Sequence, residues 1–482
     1  MFIFYKLSDS IRSNIKSSPI KTKKIIPKLL LFVSLVGLLG CAASATVNRT
    51  QRQLRQVQDF QDVDVQSMSH YLDEYRKNGE DEVLYHLEKG MLHHLNQNWK
   101  KSSLHFEKAD RAIRRNYTKS INRNAQSMIA NDLQLAYSGE PYEDVYLNVI
   151  QCLNYLNGGR LNEALVEVRQ FNRELEFIND KHKGLASSLS PDTAQVAIEK
   201  VNQKLDGVRL LGKEDGGAPI EIRQNSALAR FLATVLYAKE GSTDDAEIEL
   251  SNLRTAIGNQ GQTDFLSTLS TRSGAMERVP PPDELTNPSA YNTLFVAFHG
   301  NAPRKEAKRY QFQFKVDNEE VQLDFAVPLL LLPGTEVERV RAIVVQDTLR
   351  LPVVEEMQKT AQAMFEKKKP ILYTRAVVRS FLKAGLTEGS EEVVKEKSQE
   401  NGKWLAERIG EHVSRYVAQA DTRGWQTMPG VARAVVARLP TGTHDVTIQF
   451  LAYNGAVLQE RTRQIHVEGT RDLSVGESFY LQ

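Results

Sequence analysis

Ten histidines and two cysteines are the residues of this chain with the readiest chemistry, and their spacing narrows what that chemistry could be. His86, His93 and His94 fall on one predicted helical pair. Adjacent rings on a helix point to different faces, and neither HExxH nor CxxC occurs, so no zinc site of the usual local spacing is encoded. Cys152 sits at a small-residue position on an apolar helix face, with no His or Lys close in sequence to lower its pKa; that pattern assigns it to packing rather than attack. Searches for GxSxG, a phosphate-binding glycine loop and a dinucleotide fingerprint find nothing. The expectation is a protein with no catalytic residue, no metal and no cofactor.

The more distinctive polar residues lie in the second half. HGNAPRKEAKRYQF (299–314) follows a predicted strand and carries Arg304, Lys305 and Lys308. YTRAVVRSFLKAG (373–385) places Arg375, Arg379 and Lys383 four apart on one helical face. Asp421, Arg423 and Trp425 open a turn, and Arg438 and His444 flank the connection Pro440-Thr441-Gly442 that joins two strands. Arg and Trp concentrate energy at interfaces, so these residues are candidates for a partner-binding surface. The alternative is structural: an Asp421–Arg423 pair inside its own turn, Trp425 as a plug, and the arginine row as a solvated face.

The elements that must position these residues begin with a leader. Residues 1–28 carry seven basic residues against Asp9, and Leu29–Leu39 is an uncharged apolar run. Eleven residues make roughly 16 Å of helix, about half of a bilayer core, which suits a cleaved signal and not a permanent span. The ending Leu38-Leu39-Gly40-Cys41 resembles the lipobox of bacterial lipoproteins. That resemblance implies a signal peptide at 1–40, cleavage before Cys41, and diacylglyceryl and palmitate groups on that cysteine. Ala42 in place of Asp implies, by likeness to Gram-negative lipoproteins, the periplasmic face of the outer membrane. Removing the leader takes 7 of 62 basic and 1 of 60 acidic residues, leaving a net charge of −4 on the remainder. A mildly acidic chain without a basic block offers no footprint for nucleic acid. With Cys41 lipidated, Cys152 has no partner for an intrachain disulfide.

Residues 41–58 are predicted to be a flexible tether. From 59 to 272 apolar residues recur at helical spacing. Within that region Gly90 precedes Ser102, Phe106 and Ala109; Cys152 precedes Ala164, Val168 and Phe171; and Thr234 precedes Ala246, Leu250 and Leu253, always in steps of twelve, four and three. A turn of Asn, Gly or Ser residues separates the first two members of each set. Small residues at those places let paired helices approach closely. The pattern resembles tetratricopeptide repeats, although the three sets are 62 and 82 residues apart where tandem repeats recur every ~34; a generic set of helical hairpins is the alternative. Residues 273–290, with Pro280-Pro281-Pro282 and Pro288, are a predicted linker. From 291 to 482 short β-rich segments take over, with a helical insertion at 353–420. The predicted fold class is therefore α+β: an all-α, tetratricopeptide-like domain, then a β-rich, sandwich-like domain with that insertion.

The helical half, the strand followed by the 299–314 motif, the Arg375/Arg379/Lys383 helix and the segment from Asp421 to His444 together resemble a family of Gram-negative lipoproteins of unknown function. That family lends no catalytic residue; likeness to lipoproteins encoded among cell-envelope genes implies work in the envelope. The expected function is a membrane-tethered scaffold or binding protein with a protein partner in the cell envelope. An envelope enzyme acting on glycan or peptide is the alternative.

Overall fold

Residues 69–70, 72–73, 81–122, 136–187, 195–205, 210–211, 226–259, 265–266, 279–316, 319–344, 347–384, 420–469 and 472–481 are described by the computed structural model. The leader, Cys41, the tether, residues 273–278 of the expected linker, residues 385–419 of the insertion and the side chain of Lys383 lie outside them. Residues 49–482 form one compact unit.

Among the described residues the first half contains three helical hairpins: α1 (Glu82–Leu95) with α2 (Trp99–Asn122), α3 (Pro141–Asn157) with α4 (Leu161–Ser187), and α6 (Ala227–Glu240) with α7 (Thr243–Asn259); the short α5 (Gln195–Asn202) lies between the second and third. Each first helix ends in the same way. Gln97, Gly159 and Gly241 adopt positive φ (57°, 70° and 92°), and the next residue's N–H returns to the carbonyl five residues back: Asn98 to His93, Arg160 to Tyr155, Ser242 to Tyr237. This is the Schellman motif, which satisfies carbonyls that a helix end would leave bare. The expected close approach follows. Ser102 Oγ donates to Gly90 O at 2.7 Å, and a Cβ on Gly90 would stand 2.8 Å from the Phe106 ring. Cys152, Ala164, Thr234 and Ala246 are fully buried. The hairpins follow one another, with α2 packed on α3 and α4 on α6.

The second half contains three sheets among the described residues. One has the order β10-β1-β7-β6, one is the hairpin β2-β3, and one has the order β5-β4-β8-β9. The strands are β1 (Thr293–Asn301), β2 (Arg304–Val316), β3 (Glu319–Leu331), β4 (Arg339–Val344), β5 (Asp347–Leu351), β6 (Val353–Glu355), β7 (Pro429–Ala437), β8 (Gly442–Leu451), β9 (Val457–Val467) and β10 (Ser474–Tyr480). Helix α8 (Met357–Ala384) is inserted between β6 and β7. It shares a separate core with α5 and β3, including Val201, Phe325, Tyr373 and Val377. The coarse expectation holds: a helical region, then a β-rich region carrying an inserted helix.

Three details differ from expectation. Val353–Glu355, assigned to the helical insertion, is a strand against β7, because β-branched Val353 and Val354 follow Pro352 and a helix cannot easily run back through that proline. The basic motif at 304–308, which the sequence pattern offers as a loop after its predicted strand, is itself part of β2. Asn454-Gly455 has the composition of a two-residue hairpin turn with positive φ at both positions, but it does not form one. Gly455 alone has it (85°), its N–H donates to Ala452 O, and Ala452 N–H donates to Ala456 O; this is a three-residue loop whose one left-handed position takes glycine. Apolar Val446, Ile448 and Phe450 alternate with Thr447, Gln449 and Leu451 in the sequence, which predicts one buried face, and the hairpin runs accordingly, with Val446, Ile448 and Phe450 buried and His444 opposite Ile465 at the far end.

The second part of the expected linker is bound. Lys239 Nζ at the end of α6 donates to Pro288 O (2.7 Å) and Tyr291 O (2.6 Å), and Arg254 of α7 pairs with Asp283. The boundary near residue 280 is thus a change of secondary structure inside one compact unit.

Candidate functional site

Many of the described ionisable side chains that are buried gather where the helical half meets the second half. Asp81 precedes α1 and Glu88 lies on it; Glu140 and Glu143 open α3. Their partners come from β2, α8 and the segment 421–428 that leads into β7.

Glu140 is the residue before Pro141, whose missing N–H and fixed φ suit a first helical turn. Its own N–H donates to Glu143 Oε2 at 2.9 Å, the reciprocal half of a capping box. The Glu140 carboxylate accepts from Lys305 Nζ (2.6 Å) and Lys368 Nζ (2.8 Å), with side-chain exposures of 4%, 2% and 9%. Burial alone would raise the Glu140 pKa; the two ammonium groups more than reverse this and hold it well below the carboxylate range. Lys305 shifts upward: burial disfavours its charge, but Glu140 outweighs burial.

Glu143 and Glu88 capture the backbone of the 421–428 segment. Trp425 N–H donates to Glu143 Oε1 (2.6 Å); Gln426 N–H donates to Glu88 Oε1 (2.6 Å) and Thr427 N–H to Glu88 Oε2 (3.2 Å). The Trp425 indole donates to Thr427 Oγ1 (2.9 Å), which donates on to Glu88 Oε2 (2.6 Å). The indole packs edge-on against Phe106 at 5.7 Å. Tyr137 hydroxyl gives Glu143 a further donor at 2.7 Å. Burial pushes Glu88 up to about 7, and burial followed by the nearby Glu140 charge pushes Glu143 up to about 7. Arg423 forks across Asp421 (2.9 and 2.7 Å) and reaches Asp81 (2.7 Å). Burial would raise Asp421, and Arg423 brings it below its usual value.

Two further joints tie the halves together. Glu355 of β6 accepts from Tyr146 hydroxyl of α3 (2.6 Å), Thr360 hydroxyl of α8 (2.7 Å), Ser226 hydroxyl and Leu228 N–H (3.0 Å). It thereby meets the N-terminus of α6, where a helix favours negative charge. At β10, Glu477 lies 3.2 Å from His94 Nε2 and accepts from Asn157 Nδ2 (2.8 Å). Asn154 spends its amide nitrogen on Ser102 and Gln151, so its oxygen takes His94 Nδ1–H at 2.8 Å.

Of the residues picked as a partner-binding surface, Lys305, Arg423 and Trp425 are buried in this network, and Asp421 is partly buried at its edge. Their charges are matched within the chain, so the structural alternative describes them: Asp421 and Arg423 pair in their own turn, and Trp425 plugs the face of α2. Arg379 is buried and Arg375 half-buried on α8, which removes the solvated arginine row. Arg304 is half-buried at the start of β2. Lys308, exposed, sits 5.0 Å over the Tyr310 ring. Arg438 is exposed, and His444 Nε2 lies 2.7 Å from Pro440 O. The structure gathers Lys305, Asp421, Arg423 and Trp425 and leaves the others apart. Sequence reasoning missed Asp81, Glu88, Glu140, Glu143 and Glu355. Its one available signal was the Glu140-Pro-x-Glu143 opening of α3, which has capping-box spacing.

Chemically, the arrangement holds a segment that turns at 426–428 by its backbone. The Glu88 and Glu143 carboxylates stand at neutral pKa values, as general acids do, but their oxygens are occupied by the N–H and O–H donors named above. Among the described residues no group of three His, Cys, Asp or Glu side chains has metal-binding geometry, and no described helix is long and apolar enough to cross a membrane. No protein-family model, no curated protein and no solved structure matches this chain.

Proposed function

We propose that this chain is a lipid-anchored scaffold of the bacterial cell envelope, tethered through Cys41 on the periplasmic face of the outer membrane, that binds protein and performs no chemistry. In this reading the three hairpins are divergent tetratricopeptide-like repeats, and the two four-stranded sheets are the layers of a sandwich; the thrice-repeated Schellman turn supports the first, and the Phe450–Tyr480 ring contact at 5.7 Å the second.

The observation that carries the proposal is how the helical half treats residues 421–428. Stacked helical hairpins bind extended segments by side chains that reach backbone groups and by a pocket for an aromatic anchor. Here Glu88 and Glu143 take the backbone N–H groups, Phe106 receives Trp425, and Asp81 takes Arg423. The array works as a segment binder whose first site is filled by its own chain, which couples it rigidly to the second half. Partners are left the exposed surfaces, of which Lys308 and Arg438 are part.

Two measurements test this. Cys41→Ala should lose metabolic palmitate labelling and membrane fractionation while keeping its unfolding transition; a labelled mutant would sink the anchor. Photocrosslinking residues placed at Lys308 and Arg438 in cells should trap a discrete protein, whereas one at the buried Trp425 should not. Equal trapping at all three positions, or at none, refutes the binding role.

A further inference from the structure

Large apolar side chains exposed in the helical half, among the described residues, are three: Leu104 (46%), Val166 (47%) and Ile248 (58%). They occupy the same position of the second helix of each hairpin, two residues after the buried small residue Ser102, Ala164 or Ala246. A side chain lost to solvent once needs no explanation, but the same choice made three times at equivalent places does. Side chains of these second helices bridge neighbouring hairpins of the stack. Arg114 of α2 bonds Glu174 of α4 (2.7 Å), and Arg169, one turn beyond Val166, reaches Glu240 at the end of α6 (2.7 Å).

The charges flanking the row are ordered too. Positions three and four away on a helix are surface neighbours. Around Leu104 these are Lys100, Lys101, Glu107 and Lys108, a net charge of +2; around Val166 they include Glu163 and Arg169, net 0; around Ile248 they include Asp244 and Asp245, net −2. Lys100, Lys101, Asp244 and Asp245 are exposed. The row is thus apolar along its length, positive at one end, negative at the other, and antisymmetric about Val166.

We propose that this row is the contact face of a two-fold dimer of the chain. A two-fold axis at Val166 sets Val166 on its copy, Leu104 on Ile248 of the copy, and the lysines of α2 on the aspartates of the copy's α7. This is the self-complementarity an isologous interface requires, and opposite charges at both ends fix the orientation. An anionic membrane surface fits less well, since it would attract the α2 end and repel the α7 end. A contact this narrow lies at the small end of specific interfaces, with a Kd on the order of micromolar.

Cysteine crosslinking of the full chain in detergent tests both the contact and its direction, the unsubstituted chain setting the background. Under oxidation Val166→Cys should form a covalent dimer by itself. Leu104→Cys and Ile248→Cys should each remain monomeric alone and crosslink when mixed. In sedimentation equilibrium, Lys101→Asp should weaken association by about tenfold or more, and Lys101→Asp combined with Asp245→Lys in the same chain should restore most of it. A chain that stays monomeric to about 0.1 mM, Leu104→Cys crosslinking to itself, or a charge swap that fails to rescue overturns the proposal. So would a monomer that binds anionic vesicles and is released from them by Leu104→Glu.

Discussion

Replacing Glu140 by Gln isolates the buried ion triad from the rest of the interior. The substitution keeps the shape of the side chain and removes one charge, leaving Lys305 and Lys368, at 2% and 9% side-chain exposure, facing each other across a neutral amide. Breaking a buried pair by removing one partner costs ~3–5 kcal/mol, because the remaining charge keeps its desolvation penalty and loses its compensation. Two ammonium groups share the loss here, so the upper part of that range applies. Losing only one of them, in Lys305→Met or Lys368→Met, should cost less, since Glu140 keeps a partner. The triple variant Glu140→Gln, Lys305→Met, Lys368→Met should recover most of the loss, as apolar replacements of buried ion pairs often do. Glu140 has a lowered folded pKa, so its contribution is present above the ordinary carboxylate value and disappears as pH falls through the folded one; the Gln variant should lose that acid-side dependence. Urea midpoints at pH 7 and 3 read all of this. A Glu140→Gln cost below ~1 kcal/mol, the size of an exposed pair, would refute the reasoning.

Glu88, raised from 4.5 to about 7 by burial, carries the opposite sign: it stabilises below pH ~4.5 and loses that contribution as pH rises to ~7, by about 3 kcal/mol. Glu88→Gln should therefore flatten the fall in urea midpoint between pH 5 and 8, and an unchanged slope would exclude Glu88 as its source. Phe450→Ala, at a fully buried site, should cost ~3–5 kcal/mol, and Gln449→Ala, on the half-exposed face of β8, under ~0.5; equal urea midpoints would contradict the assigned face. Separately expressed 41–275 and 291–482 should not fold cooperatively, because Glu88, Glu140, Glu143 and Glu355 would each lose partners from the other half. Two sharp, independent melting transitions would show the halves to be autonomous.

What the sequence determined by itself was local. Steps of twelve, four and three residues marked three helical hairpins, because the close approach of Gly90 to Ser102 and Phe106 is decided within one turn of chain. Alternation from Val446 to Phe450 marked the buried face of β8 for the same reason: a strand's two faces differ by one residue. The polar interior was decided only by tertiary structure. Glu88 and Thr427 are 339 residues apart and Tyr146 and Glu355 are 209, so nothing within reach of a helical or strand period shows that these carboxylates have donors waiting. Lys305 looked like a surface residue because a charge belongs in water unless its counter-charge is buried with it, and its counter-charge, Glu140, stands 165 residues away at the start of α3; for Arg423 only the local partner Asp421 was in view, and Asp81, 342 residues away, was not. Ser474–Tyr480 likewise has little strand propensity of its own, with serine, glycine and glutamate among its seven residues; it is a strand because β1, lying parallel beside it, offers the hydrogen bonds that the segment cannot make alone.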